Sequence, residues 1–344
     1  MELLGLGLSL LVLFVVFGFM VGVLFGFFGM GGSFLITPTL LILGYPASVA
    51  IGSGLAFYFG TSVIAVMKHY DVGQVDYKLG AALFVVLSIG IELGSRLVFA
   101  LEALGIAELV TGGAYIVLLA GIGLLFLRRA YALDDEDDAD DGDEDVDDDE
   151  IPPIAQKIQS YRIPPMISLV SGGRTSLWTV TGAGGGVGLV SGLIGVGGGF
   201  IRMPAIYYLI GTPLTAAVGT SLFAGLFSGA FGAFTYGMQG SVDLAVVGLL
   251  LVGSALGARI GSAATAIVEE DDVIVYFGIM MLLASVGIAI SEAADWIGTD
   301  GLEIVSVLLL VGSSFFVALI ILYQAVQSAD VGDPNTAPTP DGDD

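Results

Sequence analysis

Apolar runs of about twenty residues recur along this chain, at 3–28, 47–67, 78–100, 106–127, 176–194, 213–236, 243–267, 272–290 and 302–327. Twenty helical residues rise about 30 Å, the thickness of a bilayer's hydrocarbon, where backbone polar groups must be satisfied internally. The runs are therefore read as spanning helices and the chain as an all-α polytopic membrane bundle. With 56% hydrophobic residues, 13% charged residues and a mean hydropathy of +0.94 over 344 positions, a water-soluble domain is excluded. Two shorter apolar stretches, 34–43 and 200–210, are too short to span as ordinary helices and are expected to be half-helices or re-entrant segments.

Each short stretch follows a glycine cluster, and the two surroundings match. "FGFFGMGGSFLITPTLLILGYPASVAIGSGL" from Phe25 aligns with "SGLIGVGGGFIRMPAIYYLIGTPLTAAVGTSL" from Ser191 once a single-residue gap is allowed. The match continues through Gly73, Val75 and Asp76 against Gly240, Val242 and Asp243. Beyond it two registers stay open: Gly90, Gly94 and Arg96 answer Gly253, Gly257 and Arg259 with a four-residue gap, or Glu92 answers Arg259 without one. The chain thus reads as two homologous membrane repeats, 1–133 and 166–330, each with a Gly-rich broken or re-entrant helix. Duplication of this kind is common in secondary transporters built around a midplane site, and also serves channels and scaffolds.

The formal charge of −24 belongs mostly to "DDEDDADDGDEDVDDDE" at 134–150 and to the acidic tail 331–344, both expected to be disordered and self-repelling. The linker 134–165 ends in "IPPIAQKIQSYRIPP", where Ile154, Ile158 and Tyr161 fall at the spacing of a short amphipathic surface helix. Arg128, Arg129, Lys157, Arg162 and Arg174 cluster around this linker, which places it in the cytoplasm. If 34–43 re-enters, the N-terminus is cytoplasmic too; whether the repeats are parallel or inverted stays open. The first run has no basic leader and is read as a retained helix.

Chemistry-bearing residues gather at the duplicated motif. Gly29, Gly31 and Gly32 in the first copy, and Gly195, Gly197, Gly198 and Gly199 in the second, permit positive φ and unwound backbone. Such backbone inside a bilayer must be buried in protein or line a polar cavity, and the short helix beyond it directs free amides at the break, a plausible anion seat. Close helix packing is the competing reading, and it is the one expected for "GSALGARIG" from Gly253. Pro38 and Pro204 follow the breaks at a fixed distance, then come Gly52 and Ser53 in one half and Gly219, Thr220 and Ser221 in the other. These hydroxyls either ligate a solute or bond back to their own helix. Arg202 replaces what is Ile36 in the first copy, so an anion would lean towards the second half; the alternative is snorkelling to an interface.

Glu92, Arg96 and Arg259 read as a buried ion pair joining the halves, or as coupling residues. Asp76 and Asp243 precede long helices and are expected to be N-caps. There is no cysteine, His69 is the single histidine, and neither "GGRTS" nor "GAGGGVG" matches a nucleotide-binding loop. No cofactor, metal site, enzymatic activity or nucleic-acid partner is expected. Trp178 and Trp296 stand at expected interfaces.

The pairs "GMGGSFLITPTL…GYPASVAIGSGL" and "GVGGGFIRMPAI…GTPLTAAVGTSL" resemble the duplicated signature of the sulfite exporter TauE/SafE family of membrane permeases. That resemblance implies a multi-pass cell-membrane transporter of small anions, often sulfur-containing oxyanions such as sulfite or organosulfonates, working without ATP. By the family's pattern the matching glycines, Pro38, Pro204, Thr220 and Ser221 belong to the substrate region. The first copy departs from the pattern at Ser33 and in "GSGL", so it is expected to supply fewer polar ligands. The expected partners are the lipid bilayer and a small anionic solute; coupling to H+ or Na+ and the oligomeric state are left open. A passive anion channel or a non-transporting scaffold is the alternative.

Overall fold

The computed structural model describes residues 2–3, 6–28, 33–69, 75–137, 163–169, 173–265, 267–268, 270–297 and 301–331. In the first half the helices are α1 (Leu8–Phe28), α2 (Ser33–Ile42), α3 (Ala47–His69), α4 (Tyr77–Ala103) and α5 (Ala107–Asp137). In the second they are α6 (Leu177–Ile194), α7 (Gly199–Pro204), α8 (Leu214–Gly237), α9 (Leu244–Ala264) and α10 (Glu270–Ile297). A last rod is formed by α11 (Gly301–Val307), a π-helical turn Leu308–Gly312 and α12 (Ser313–Val331). Eight of these helices, counting the last rod as one, are long and apolar enough to cross a membrane; of α3, the described apolar stretch is Ala47–Val63. The chain is a multi-pass helical membrane protein.

Two short antiparallel strand pairs accompany the helices, Glu2–Leu3 with Leu6–Gly7 and Met166–Ser168 with Arg174–Ser176. Neither was legible as alternation, because three residues are too few to show a period. Helix α5 runs four residues into the acidic stretch, to Asp137. The remainder of that stretch, the amphipathic segment around Ile154, Ile158 and Tyr161, and the tail beyond Val331 lie outside the described residues.

Glycines bring two helix pairs into backbone contact. Gly18, Gly22 and Gly26 of α1 lie against the backbone of Leu250, Ser254 and Ala258 of α9, while Gly253, Gly257 and Gly261 of α9 lie against Val15, Phe19 and Val23. The seam of α4 and α6 has the same form: Gly90 and Gly94 meet Gly185 to Leu193, and Gly188 and Gly192 meet Leu87 and Ile91. A Cβ at any of these positions would overlap a backbone atom, so small residues permit a close approach that gains dispersion contact where lipid offers no hydrophobic drive.

Contact order along the helices sets their directions. Residue numbers rise together along α1 and α9, along α4 and α6, and along α3 and α9, where Ser53 meets Asp243 and Gly60 meets Leu251; these pairs are parallel. They run oppositely along α3 and α8, where Gly232 meets Leu55 and Gly225 meets Tyr58, and along α5 and α10, where Gly112 meets Glu292 and Gly123 meets Gly278. Helices α1 and α3 are therefore parallel to each other, so the chain between them traverses back through the bundle rather than re-entering and leaving on one side. This corrects the expectation that N-terminus and linker share a face. Helix α1 starts at the end of the bundle where α3 starts, and α5 finishes at the other end.

The expected charge pair between the halves is also corrected. Glu92 and Arg96 form an i,i+4 bridge of 2.8 Å on the outer surface of α4, and Arg259 is exposed on α9. Glycines occupy the inward positions between them, so these charged side chains fall on the outward face. Asp76 and Asp243 do cap α4 and α9, each Oδ1 accepting from two backbone N–H groups at 3.0–3.1 Å.

Candidate functional site

Helix α6 ends inside the protein. Gly195 takes φ +72°, Gly197 +68° and Gly198 +74°, and α7 begins at Gly199. Three left-handed residues in four positions is a path that side chains with a Cβ rarely follow, which accounts for the cluster. An ending of this kind leaves backbone carbonyls without helical partners. Here other elements supply donors one by one. Tyr236 of α8 donates to the Gly192 carbonyl at 2.6 Å, and Tyr115 of α5 donates to that of Ile194. From α2, Thr37 reaches the Gly195 carbonyl at 3.5 Å and Ser33 donates to that of Val196. Arg202 takes the carbonyl of Gly197 at 3.4 Å. The first half's short helix thus seals the second half's break.

Helix α7 carries Arg202 back into the interior. Pro204 cannot donate to the carbonyl four residues before it, and after it the ladder widens into a π-helical turn, Ala205–Ile210. Arg202 is 2% exposed. Its Nη2 donates to the Tyr58 hydroxyl at 2.6 Å and its Nε to the Ser221 hydroxyl at 3.1 Å, while the guanidinium carbon stands 5.9 Å from the centre of the Tyr58 ring. Among the described residues no carboxylate lies within ion-pair distance of it. Three of its five N–H groups are engaged, all by neutral oxygens. Carbonyls at the end of α6 offset part of the buried charge, since a helix C-terminus carries partial negative charge. The snorkelling alternative is excluded by the burial.

The structure brings Gly195, Gly197, Gly198, Gly199, Arg202, Pro204 and Ser221 together at this break. Thr220 and Ser53 are fully buried but used otherwise: Thr220 accepts from the backbone N–H of Asp76 at 3.1 Å, and Ser53 accepts from that of Asp243 at 2.9 Å. Each hydroxyl ties the cap of a helix in the other half, a role neither solute ligation nor bonding within its own helix anticipates. Pro38 lies buried in α2, where the adjacent Thr39 hydroxyl donates to the Leu35 carbonyl at 2.7 Å. Gly29, Gly31 and Gly32 lie outside the described residues.

Tyr58, Tyr115 and Tyr236 are not among the residues that the sequence singles out. The available signal was chemical: tyrosine rather than phenylalanine deep in an apolar run implies a buried hydroxyl that needs a partner. Gly225 was missed as well; a Cβ there would overlap both Arg202 Nη2 and the Tyr58 hydroxyl.

Residues 14–288 match the model of the family described as sulfite exporter TauE/SafE. Relatives include the probable membrane transporter protein YunE of Bacillus subtilis, 24% identical over 281 residues, covering 79% of this chain and 94% of that protein. A probable membrane transporter protein of Xylella fastidiosa is 29% identical over 252 residues, 71% of this chain and 81% of its own length. The probable membrane transporter protein MJ0441 of Methanocaldococcus jannaschii is 24% identical over 221 residues, 62% and 68% respectively. No solved structure matches.

Proposed function

Because this chain belongs to the sulfite exporter TauE/SafE family of membrane transporters, we propose that it is a secondary permease for small anions, with the solute received at Arg202 between the two glycine breaks. The observation that carries this reading is the guanidinium itself. A cation in a bilayer interior costs at least about 2.5 kcal/mol and is ordinarily paired or functional. Arg202 is 2% exposed, has only neutral partners among the described residues, and keeps donors unspent. An arriving oxyanion supplies the missing negative charge through charge-assisted hydrogen bonds, from which Tyr58 and Ser221 can also be approached.

The two halves are read as inverted repeats. Support comes from the antiparallel courses of α3 and α8 and of α5 and α10, which occupy corresponding places in the two halves, and from the exchanged cap contacts Ser53 to Asp243 and Thr220 to Asp76. Inverted halves meeting at a midplane site suit a carrier that opens alternately to either side. Sulfite and small organosulfonates are the solutes proposed.

The test is uptake of radiolabelled sulfite and of a small sulfonate into proteoliposomes holding wild type or Arg202→Ala, under an imposed pH or sodium gradient. Saturable uptake, gradient-sensitive and lost in the variant, is expected. Saturable uptake that survives the substitution would leave a permease with its seat elsewhere. Conductance without saturation would favour a channel, and no uptake by folded protein would favour a scaffold.

A further inference from the structure

The groups around Arg202 differ in one respect from a general anion site: they offer hydrogen-bond donors and, among the described residues, no charged acceptor. Helix α3 contributes Tyr58, α8 contributes Ser221 and Gly225, and the turn after α6 contributes Gly197 and Gly198. A phenol is the one titratable group among these neighbours, and no described carboxylate, lysine or histidine faces the guanidinium. Both hydroxyl oxygens already accept from Arg202, which leaves their own protons available to a bound anion. Among the described residues the carbonyl that accepts from Arg202, that of Gly197, is engaged by Nη1.

We propose that this seat discriminates anions by protonation: it takes oxyanions that carry no acidic proton and rejects those that carry one. The inference rests on Arg202 being the solute seat. An anion such as sulfate or a sulfonate presents oxygens that only accept, and the remaining guanidinium N–H groups and two hydroxyl protons meet them. Hydrogen phosphate is close to sulfate in size and shape but brings an O–H that needs an acceptor. Buried here, that proton is left unpaired or must compete for neutral oxygens already engaged by Arg202, and an unmet buried donor costs affinity by about tenfold or more. Sites built to match one pattern of donors and acceptors reject the mismatched analogue for this reason. Sulfite is then carried as its dianion rather than as hydrogen sulfite.

The experiment uses the wild-type chain in proteoliposomes with the same pH on both sides, and a radiolabelled sulfonate as reporter. Unlabelled sulfate is expected to compete at least about tenfold better than phosphate. Labelled sulfite uptake is expected to rise several-fold as the pH is raised through the range in which hydrogen sulfite gives way to the dianion, while sulfonate uptake stays level. Phosphate competing as well as sulfate, or sulfite uptake that is greatest at the acid end, overturns the proposal. Arg202→Ala separates the two levels of failure. Sulfonate uptake unchanged by that substitution removes the seat itself and this inference with it, whereas Arg202-dependent uptake that phosphate blocks removes only the discrimination.

Discussion

Tyr58 and Gly225 face each other across α3 and α8, and the missing side chain of Gly225 makes the room in which the Tyr58 hydroxyl reaches Arg202. Continuing the alignment of the two motifs by three residues pairs these positions, so one copy supplies a phenol where the other supplies nothing. Gly225→Ala is therefore expected to displace the hydroxyl or the guanidinium. Overpacking of this kind costs about 1–3 kcal/mol. Sulfonate uptake should fall by about tenfold or more while the protein still extracts as a folded species; uptake at wild-type level would mean that the contact does not shape the seat.

Tyr58→Phe keeps the ring between Gly197 and Gly229 and deletes only the acceptor of Arg202 Nη2. One buried N–H then lacks a partner, and the affinity for anion loses one approaching donor, together worth about 1–3 kcal/mol. The KM for sulfonate uptake is expected to rise about tenfold, with a small change in melting temperature. A large loss of stability with an unchanged KM would make the tyrosine structural.

Much of this site was legible in the sequence, and the remainder was hidden for identifiable reasons. Long apolar runs dictate spans because their length matches a bilayer, and Arg202 stood out because charge is rare in such runs. The glycine cluster after α6 announced a break because few other residues adopt three positive φ values in four positions. The donors that seal that break, Ser33, Thr37, Tyr115 and Tyr236, come from three other helices, and no local pattern encodes which hydroxyl meets which carbonyl. Helix direction was hidden for a related reason. The length of a short segment tells that it does not span as an ordinary helix, and only its neighbours tell where it goes.

Ser53 and Thr220 separate a structural role from ligation. Ser53→Ala removes the hydroxyl that accepts from the part-buried Asp243 N–H, and Thr220→Ala the one that accepts from the Asp76 N–H, each at about 1–3 kcal/mol. Asp243→Ala removes the cap at about 0.5–2 kcal/mol. The Ser53→Ala and Asp243→Ala pair should be non-additive in thermal melts, since both act on one cap. Transport affinity per folded molecule should change little in Ser53→Ala. A rise in KM without destabilisation would restore the hydroxyl to the solute.

The glycine seams are expected to be intolerant at chosen positions. Gly257→Ala would drive a Cβ into the Phe19 carbonyl of α1, and Gly22→Ala would do the same at Ser254 of α9. Gly248 lies on the same helix as Gly257, and a Cβ there meets nothing within 4 Å. Gly257→Ala should lower the melting temperature and Gly248→Ala should leave it unchanged or raise it, because alanine is the better helix former by about 1 kcal/mol. Equal behaviour of the two would remove the seam as the cause.

Helix directions set the two ends of the bundle, and this gives a topology that labelling can test. Leu104 follows α4 and Met238 follows α8, at the end where α1 starts; both are well exposed, at 72% and 71%. Thr265 and Ile267 follow α9, at the end where α5 finishes. Lys78, Arg128, Arg174 and Arg259 all lie towards that second end, so the positive-inside rule predicts that it faces the cytoplasm. The chain contains no cysteine, so single substitutions report without background. Leu104→Cys and Met238→Cys are expected to react with an impermeant maleimide from outside intact cells, and Thr265→Cys and Ile267→Cys only after permeabilisation. The reverse pattern would invert the protein in the membrane and leave the bundle intact. Labelling of Leu104→Cys and Met238→Cys from different sides would break the antiparallel course of α3 and α8, and with it the proposed inverted relation of the halves.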